Sequence, residues 1–435
     1  MCFVTGWYTA PYFSAIGRNL QDNIDINYIA HDSFSHQYLL QKKHKVYKRA
    51  QKFLLSNNLD NTFENDVKMD VVFTSKGFGN YNFWFEYFSK RAFSYEKWLR
   101  EIWKESPPDF VVIWNGMWHY EKISKKIALE KNITIIYIEN GYFPKTAHID
   151  PVGINAEAEI VYRNNEGLLT NCDDAELLNF IEEMRDSFSE LKRYSQESDL
   201  TNSLSFSRFI FFILELVICD MPFIGLEFVS KLLILIKSKK NKYLLQSKGS
   251  LPKNYVFLPL QVTTDSQLIL NSPWIKTPHH FISVVEEAFK KIDPEITLVI
   301  KEHPMEDPNI SFNDLSKKFP EIYWASSYPL EELIKNAKLI VNINSSVGFQ
   351  SLLFGKSVVC LGNALYARQG LAFLCHKEED LYNICKKALE SRPNMILVGQ
   401  FAKTLYTDYC VQYTRGAIQK SDIDAMAKKI VNLIN

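Results

Sequence analysis

The chain has 435 residues, room for two to three domains at about 150 residues each. Its 46% hydrophobic and 23% charged residues exclude a disordered, collagen-like or mainly coiled-coil protein. Fifty basic residues balance fifty acidic ones, so a general nucleic-acid binder, which needs excess cations against phosphate, is not expected.

Aromatic residues reach 14%, which suits carbohydrate or lipid contacts. The seven cysteines are odd in number and form no CxxC pair, as expected of free, mostly buried thiols in a reducing compartment. The nine histidines form no cluster with metal-ligand spacing. The first residues lack a basic region, and Thr5, Gly6, Pro11 and Ser14 interrupt their apolar stretch, so no signal peptide is expected.

In the first half, strands are expected at Val71-Val-Phe-Thr-Ser75, Phe110–Trp114 and Thr134–Ile138, with helices over Phe83–Lys104 and Tyr120–Lys131. Short β-branched runs separated by helices of ten or more residues imply parallel βαβ units. The rhythm restarts near residue 254. Strands are expected at Tyr255–Leu260, Ile296–Ile300, Leu339–Ile343 and Ser357–Leu361, and helices at His279–Ile292, Leu330–Ala337 and Val347–Phe354. Gly355 stands where a helix C-cap glycine belongs. The expected fold is α/β, with two Rossmann-like domains facing a central cleft. The expected divisions are an N-terminal domain over 1–200, a helical segment over 201–250, a C-terminal Rossmann-like domain over 251–400, and helices over 401–435 that pack back on the first domain.

Residues 204–245 are strongly apolar and end in Lys237, Lys239, Lys240 and Lys242. Glu215, Asp220, Glu227 and Lys231 interrupt any long uncharged run, and Pro222 should split the stretch into two helices. It reads either as an interfacial hairpin with a basic end facing anionic headgroups or as a buried helix pair with a solvated lysine tail.

Four segments can carry chemistry. Gln261-Val-Thr-Thr-Asp-Ser-Gln267 follows a buried strand, at the sheet edge where open α/β folds bind ligands. Asp265 there is a candidate nucleophile or base, and Gln261 and Gln267 can hold a polar substrate. The plain alternative for Asp265 is a turn or helix cap. In Ile300-Lys-Glu-His-Pro304, Lys301 and His303 can clamp a phosphate or carboxylate and Pro304 fixes the turn; a surface turn is the bland reading. Asn344, Ser345 and Ser346 open a helix, as an anion site or as an ordinary N-cap. Asn363 and Tyr366 follow the next strand and can line the same cleft. In the first half, Glu139 ends a strand beside Gly141 and can face Asp265, since two carboxylates are the usual tools of glycosyl chemistry; the alternative is a structural turn with Glu139 solvated. No Walker A, GxGxxG, GxSxG or HExxH motif occurs. Asp422-Ile-Asp424 precedes a C-terminal helix and reads as a cap, so no metal is expected.

In this order and spacing the four segments resemble the capsule-polysaccharide β-Kdo transferases of the KpsS-like type. The likeness covers Glu139–Ala156, Gln261–Gln267, Leu298–Met305 and Asn344–Gly370, about a quarter of the chain. It implies a two-domain GT-B glycosyltransferase that uses CMP-Kdo with retention and no other cofactor. Asp265 would be the nucleophile and Glu139 the acid/base. Gln261, Gln267, Lys301, His303, Pro304, Asn344, Ser345, Ser346 and Asn363 would hold the donor. Asn140, Gly141, Tyr142, Lys145 and Tyr366 would line the acceptor side. A (lyso)phospholipid-linked acceptor is implied, with a peripheral position on the cytoplasmic face of the bacterial inner membrane and other capsule-assembly proteins as partners. Where family members have an Arg after Glu-x-Gly-Tyr-x this chain has Phe143-Pro-Lys145, and Glu302 stands where a His often precedes His-Pro. The alternatives are a transferase for another nucleotide sugar and a non-catalytic assembly partner.

Overall fold

The computed structural model describes residues 1–47, 63–168, 172–190, 247, 249–303, 312–414 and 418–434; the 204–245 segment and Pro304 lie outside them. The described chain divides into two compact units. The first takes residues 1–159 and 406–434, and the second takes 160–190 and the stretch up to residue 405. The boundary expected near residue 200 therefore moves back to 159/160.

The first unit is built on a seven-stranded sheet in the order β13-β6-β5-β4-β1-β2-β3. Its strands are β1 (Cys2–Thr5), β2 (Asn27–Ala30), β3 (Lys45–Val46), β4 (Phe110–Trp114), β5 (Thr134–Asn140), β6 (Thr146–Asp150) and β13 (Cys410–Gln412). β1 to β5 run parallel; β6 pairs antiparallel with β5, and β13 pairs antiparallel with β6. The order β3-β2-β1-β4-β5 is the Rossmann order, which reverses direction between β1 and β4. Its helices are α1 (Ala10–Leu20), α2 (Ser33–Gln41), α3 (Glu64–Phe78), α4 (Tyr81–Glu105), α5 (His119–Glu130) and, near the C-terminus, α15 (Lys420–Ile434).

One face of the sheet packs Phe3, Tyr28, Val112, Trp114 and Ile136 against Phe13 and Ile16 of α1 and Met426 and Ile430 of α15. The alternate residues Val111 and Ile113 are equally buried and point to the other face, where α5 lies, with α4 packed on it. Each large apolar side chain fully buried here contributes roughly 1.5–3 kcal/mol.

The strand expected at Val71–Ser75 is instead part of α3. Its β-branched run favours a strand, but Val67, Asp70, Val71 and Thr74 are buried at helical spacing, and packing on α4 and α5 overrides local preference. Asp422 and Asp424 lie inside α15 rather than ahead of it. Asp422 is buried, and its carboxylate accepts from the Thr414 amide at 2.7 Å.

The second unit begins with the end of α6 (Glu159–Tyr162) and with α7 (Asp174–Glu190). Its six-stranded sheet is wholly parallel, in the order β12-β11-β10-β7-β8-β9. The strands are β7 (Tyr255–Pro259), β8 (Thr297–Lys301), β9 (Tyr323–Trp324), β10 (Leu339–Asn342), β11 (Val358–Cys360) and β12 (Phe373–Leu374). This is the Rossmann order again, with its reversal between β7 and β10. The helices are α8 (Ser266–Asn271), α9 (Pro278–Ile292), α10 (Phe312–Lys318), α11 (Leu330–Asn336), α12 (Ser346–Leu353), α13 (Leu381–Leu389) and α14 (Met395–Thr404). α7 joins this unit because it packs along α14, where Gly399 lets the Leu177 and Ile181 side chains approach closely. Gly355 ends α12 at φ +70°, the left-handed turn that glycine makes at least cost.

Candidate functional site

Parallel sheets of this order bind ligands at the carboxyl edge, where two neighbouring strands send their connections to opposite faces. In the second unit that point lies between β7 and β10. Gln261 follows β7 and Asn344 follows β10, and both are buried. Gln261 Nε2 donates to Asn344 Oδ1 at 2.8 Å, and the Asn344 amide donates back to Gln261 Oε1 at 3.1 Å. Asn344 Nδ2 donates to the Gln267 carbonyl at 2.9 Å, and Asn271 Nδ2 to Gln267 Oε1 at 2.8 Å. The Asn363 amide donates to the Asn271 carbonyl at 2.8 Å, while its side chain is exposed. Gln261, Gln267, Asn344 and Asn363 are thus brought together, and Gln261 braces Asn344. Gln267 Nε2 is a buried donor with no hydrogen-bond partner among the described residues.

Asp265 stands in this cluster as the N-cap of α8: Oδ1 accepts from the Gln267 amide at 2.9 Å. Oδ2 has no partner among the described residues. Burial pushes the carboxyl above the ordinary aspartate range, and the Gln267 bond opposes that shift. A capping role and an uncommitted oxygen therefore coexist in one side chain.

Ser345 caps α12, accepting from the Val347 amide at 3.2 Å, while its own amide donates to Asn342 Oδ1 at 2.8 Å. Among the four amides from Asn344 to Val347, only that of Ser346 has no partner among the described residues. Tyr366, expected to line a cleft, is wholly buried instead. Its hydroxyl donates to Asn342 Oδ1 at 3.0 Å beneath the first turn of α12, beside Gly348. Lys301 ends β8, and its ammonium donates to the Ser326 and Tyr328 carbonyls at 2.5 and 3.0 Å, fixing the loop after β9. His303 remains exposed, and partial desolvation holds its imidazole below the usual histidine pKa.

In the first unit, Glu139 lies near the end of β5. Its Oε1 accepts from the Asn140 amide and from Asn140 Nδ2 at 2.7 and 2.8 Å, and its Oε2 accepts from Asn115 Nδ2. Three N–H donors thus converge on this one carboxylate. Gly141 starts the turn into β6; a Cβ there would stand 2.1 Å from Thr146 Oγ1. Tyr142 sits half-buried in this turn, and Lys145 ends it exposed at φ +51°.

Several polar residues here carry no motif. Asn115, after β4, adopts φ +69°. His119 Nδ1 lies 2.6 Å from Asp70 Oδ1, and Asp70 Oδ2 accepts from the His119 amide at 3.0 Å. Arg91 Nε donates to the Tyr120 hydroxyl at 3.0 Å inside the core. Glu121 is buried and accepts from the Trp118 amide at 3.3 Å. Burial pushes its carboxyl well above the usual range; the Trp118 bond opposes this, and nearby Asp70 and Glu139 add to it. Glu121 therefore stays protonated under conditions that ionise an exposed glutamate. The Asp70–His119 and Arg91–Tyr120 contacts join separate helices across 49 and 29 positions, and of these residues Asn115 alone stands at a strand end. Among the described residues no helix is long and apolar enough to cross a membrane.

The chain resembles known proteins in three ways. It is 30% identical to protein FixF of Sinorhizobium fredii over 261 residues, which is 60% of this chain and 50% of that protein. It is 31% identical over 149 residues to the capsule polysaccharide export protein KpsS of Escherichia coli, covering 33% of this chain and 38% of that one. The match thus spans half or less of either relative's length. A solved structure of Thermosulfurimonas dismutans KpsC, a β-Kdo 2,7 transferase, aligns with a TM-score of 0.38 and 18% identity over 78% of this chain and 89% of that one. The family model described as "capsule polysaccharide biosynthesis protein" matches residues 109–415, a span that takes in both Glu139 and Asp265, and the chain belongs to that family.

Proposed function

We propose that the chain is a retaining glycosyltransferase of capsular polysaccharide biosynthesis, moving Kdo from CMP-Kdo to a (lyso)phospholipid-linked acceptor at the cytoplasmic face of the inner membrane, with no cofactor and with other capsule-assembly proteins as partners. The observation that carries the reading is Asp265: a desolvated carboxyl at the carboxyl edge of a parallel sheet, one oxygen fixed by a helix cap and the other uncommitted among the described residues.

Desolvation makes an ionised carboxylate more basic and so a better nucleophile. Asp265 Oδ2 attacks the anomeric carbon as the bond to CMP breaks, and the phosphate oxygen leaves with the bonding electrons. His303 and the Ser346 hydroxyl are the donors offered to that departing charge. An acceptor hydroxyl then attacks the glycosyl–aspartate carbon, Glu139 takes its proton, and Asp265 departs as carboxylate. Two inversions give net retention. The KpsS name and the family description support the pathway; the donor and acceptor rest on the resemblance of the four segments to the β-Kdo transferases.

The test incubates the purified protein with CMP-Kdo, or with UDP-sugars as a control, and a lyso-phosphatidylglycerol analogue, followed by intact-protein mass spectrometry. Transfer and a Kdo-mass adduct are expected for the native protein, no adduct for Asp265→Asn, and loss of transfer for Glu139→Gln. Folded native protein that yields neither product nor adduct refutes the reading.

A further inference from the structure

The first sheet reverses direction between β1 and β4, and Asn115 is the first residue beyond β4 at that point. Its backbone is bent into the left-handed region at φ +69°, followed by Gly116 at φ +76°. Two hydrogen bonds hold the bend: the Asn115 amide donates to the Ile138 carbonyl at 2.8 Å, and the Gly116 amide to the Trp114 carbonyl at 2.8 Å. Beyond the bend, the Trp118 amide donates to Glu121 at 3.3 Å where α5 begins. Asparagine is among the few non-glycine residues at home in the left-handed region, and here the bend turns its side chain onto Glu139.

A carboxylate can only accept, so the amide must present its Nδ2 to Glu139. The other half of the side chain, Oδ1, is buried with no hydrogen-bond partner among the described residues. A residue kept only for the turn would gain from engaging both halves. This one has its single side-chain bond on Glu139, while Asn140 holds the opposite carboxylate oxygen.

Resting on the assignment of Glu139 as acid/base, we propose that Asn115 is a positioning residue for Glu139, gripping one carboxylate oxygen from the switch point of the first sheet so that the other components of the site meet the carboxylate in one orientation. The ionisable groups that face Glu139 from neighbouring elements are Glu121 on α5, whose carboxyl pKa the Glu139 charge raises, and His148, its register partner on β6, with Asp150 hydrogen-bonded behind it.

Two variants test this, and both place a residue at home at positive φ: Asn115→Gly removes the donor, and Asn115→Asp replaces it with a carboxylate. The first readout needs no substrate. The Glu139 carboxyl carbon, assigned by its absence in Glu139→Gln, is titrated by NMR in glutamate-labelled protein. Its midpoint is expected to rise modestly in Asn115→Gly and by roughly 1–3 pH units in Asn115→Asp, as a like charge adjoins it. The second readout is transfer from CMP-Kdo. kcat is expected to fall roughly 10- to 100-fold in Asn115→Gly with an unchanged KM for the donor, and the acid limb of the profile should move to higher pH in Asn115→Asp. Unchanged Glu139 titration in both variants overturns the inference, as do unchanged kinetics alongside an inactive Glu139→Gln. A fully active Glu139→Gln overturns the acid/base assignment, and this inference with it.

Discussion

Asp150 offers a sharp test of how the first unit is held together. It ends β6 with no solvent exposure, and its carboxylate gathers the chain that follows. Oδ1 accepts from the amides of Val152 at 2.7 Å and Gly153 at 2.9 Å, and Oδ2 accepts from Glu159 at 2.9 Å with His148 Nε2 at 3.1 Å. That carboxylate therefore shapes the whole Gly153-Ile-Asn-Ala156 stretch, whose Gly153 has no room for a Cβ, since the Glu157 carbonyl would stand 2.5 Å away. Asp150→Ala strands the buried Gly153 amide, the part-buried amides of Val152 and Glu159, and a buried imidazole nitrogen. At about 1–3 kcal/mol per unsatisfied donor, less what relaxation and water entry recover, the loss is about 3–5 kcal/mol. Asp150→Asn differs in kind. Its amide oxygen can still serve Val152 and Gly153, but its NH2 meets the Glu159 N–H donor to donor, for a loss of about 1–3 kcal/mol. Denaturant unfolding gives the two free energies, and hydrogen exchange at residues 152, 153 and 159 localises them to this loop. The reasoning fails if both variants lie within about 1 kcal/mol of the native protein, or if asparagine costs as much as alanine.

Two further outcomes follow from the second unit. The fold raises the Asp265 pKa, so it favours the protonated form: stability declines as pH climbs from the ordinary aspartate value through the raised one, then levels off. Asp265→Asn removes that slope and keeps a side chain able to cap α8, so its thermal midpoint at pH 7 is expected to equal or exceed the native one; a midpoint several degrees lower would contradict this. In Gly348→Ala the new Cβ would stand 2.2 Å from Tyr366 Oη and 2.7 Å from Asn342 Nδ2, a loss of about 1–3 kcal/mol. Tyr366→Phe gives up the hydroxyl shared between Asn342 Oδ1 and the Ser345 carbonyl, about 1–2 kcal/mol, but removes the nearest of the crowding atoms, so the double variant should lose less than the sum; strict additivity in denaturant unfolding would count against the packing described.

Strands buried on both faces were the easiest to read. β4, β7, β8 and β10 are near-continuous apolar runs, and each lies within a residue of its expected place. β1 and β2 were missed because four residues such as Cys2-Phe-Val-Thr5 carry no period long enough to register. Val71–Ser75 misled in the opposite way: side-chain branching argued for a strand while burial followed a helix. At the site, Asp265 and Glu139 stood out because a carboxylate at a strand end is unusual enough to notice. Asn115 did not, because its meaning lies in a partner 24 positions away, and the His119–Asp70 pair spans 49. Tyr366 looked available because the loop Gly362–Tyr366 reads as polar and open, yet its ring fills the space that Gly348 leaves.

The first sheet is closed on one side by β13, which the chain supplies only after the whole second unit has been made. During synthesis β6 must wait with a bare row of backbone donors and acceptors along its outer margin, the kind of margin that recruits strands from other molecules. A ribosome that stalls before residue 406 therefore releases a product whose first unit is unfinished despite containing every strand from β1 to β6, and whose face beneath α15 stays greasy and open. Quality control of this protein should thus be sensitive to residues 406–434, a region remote in sequence from every proposed catalytic group.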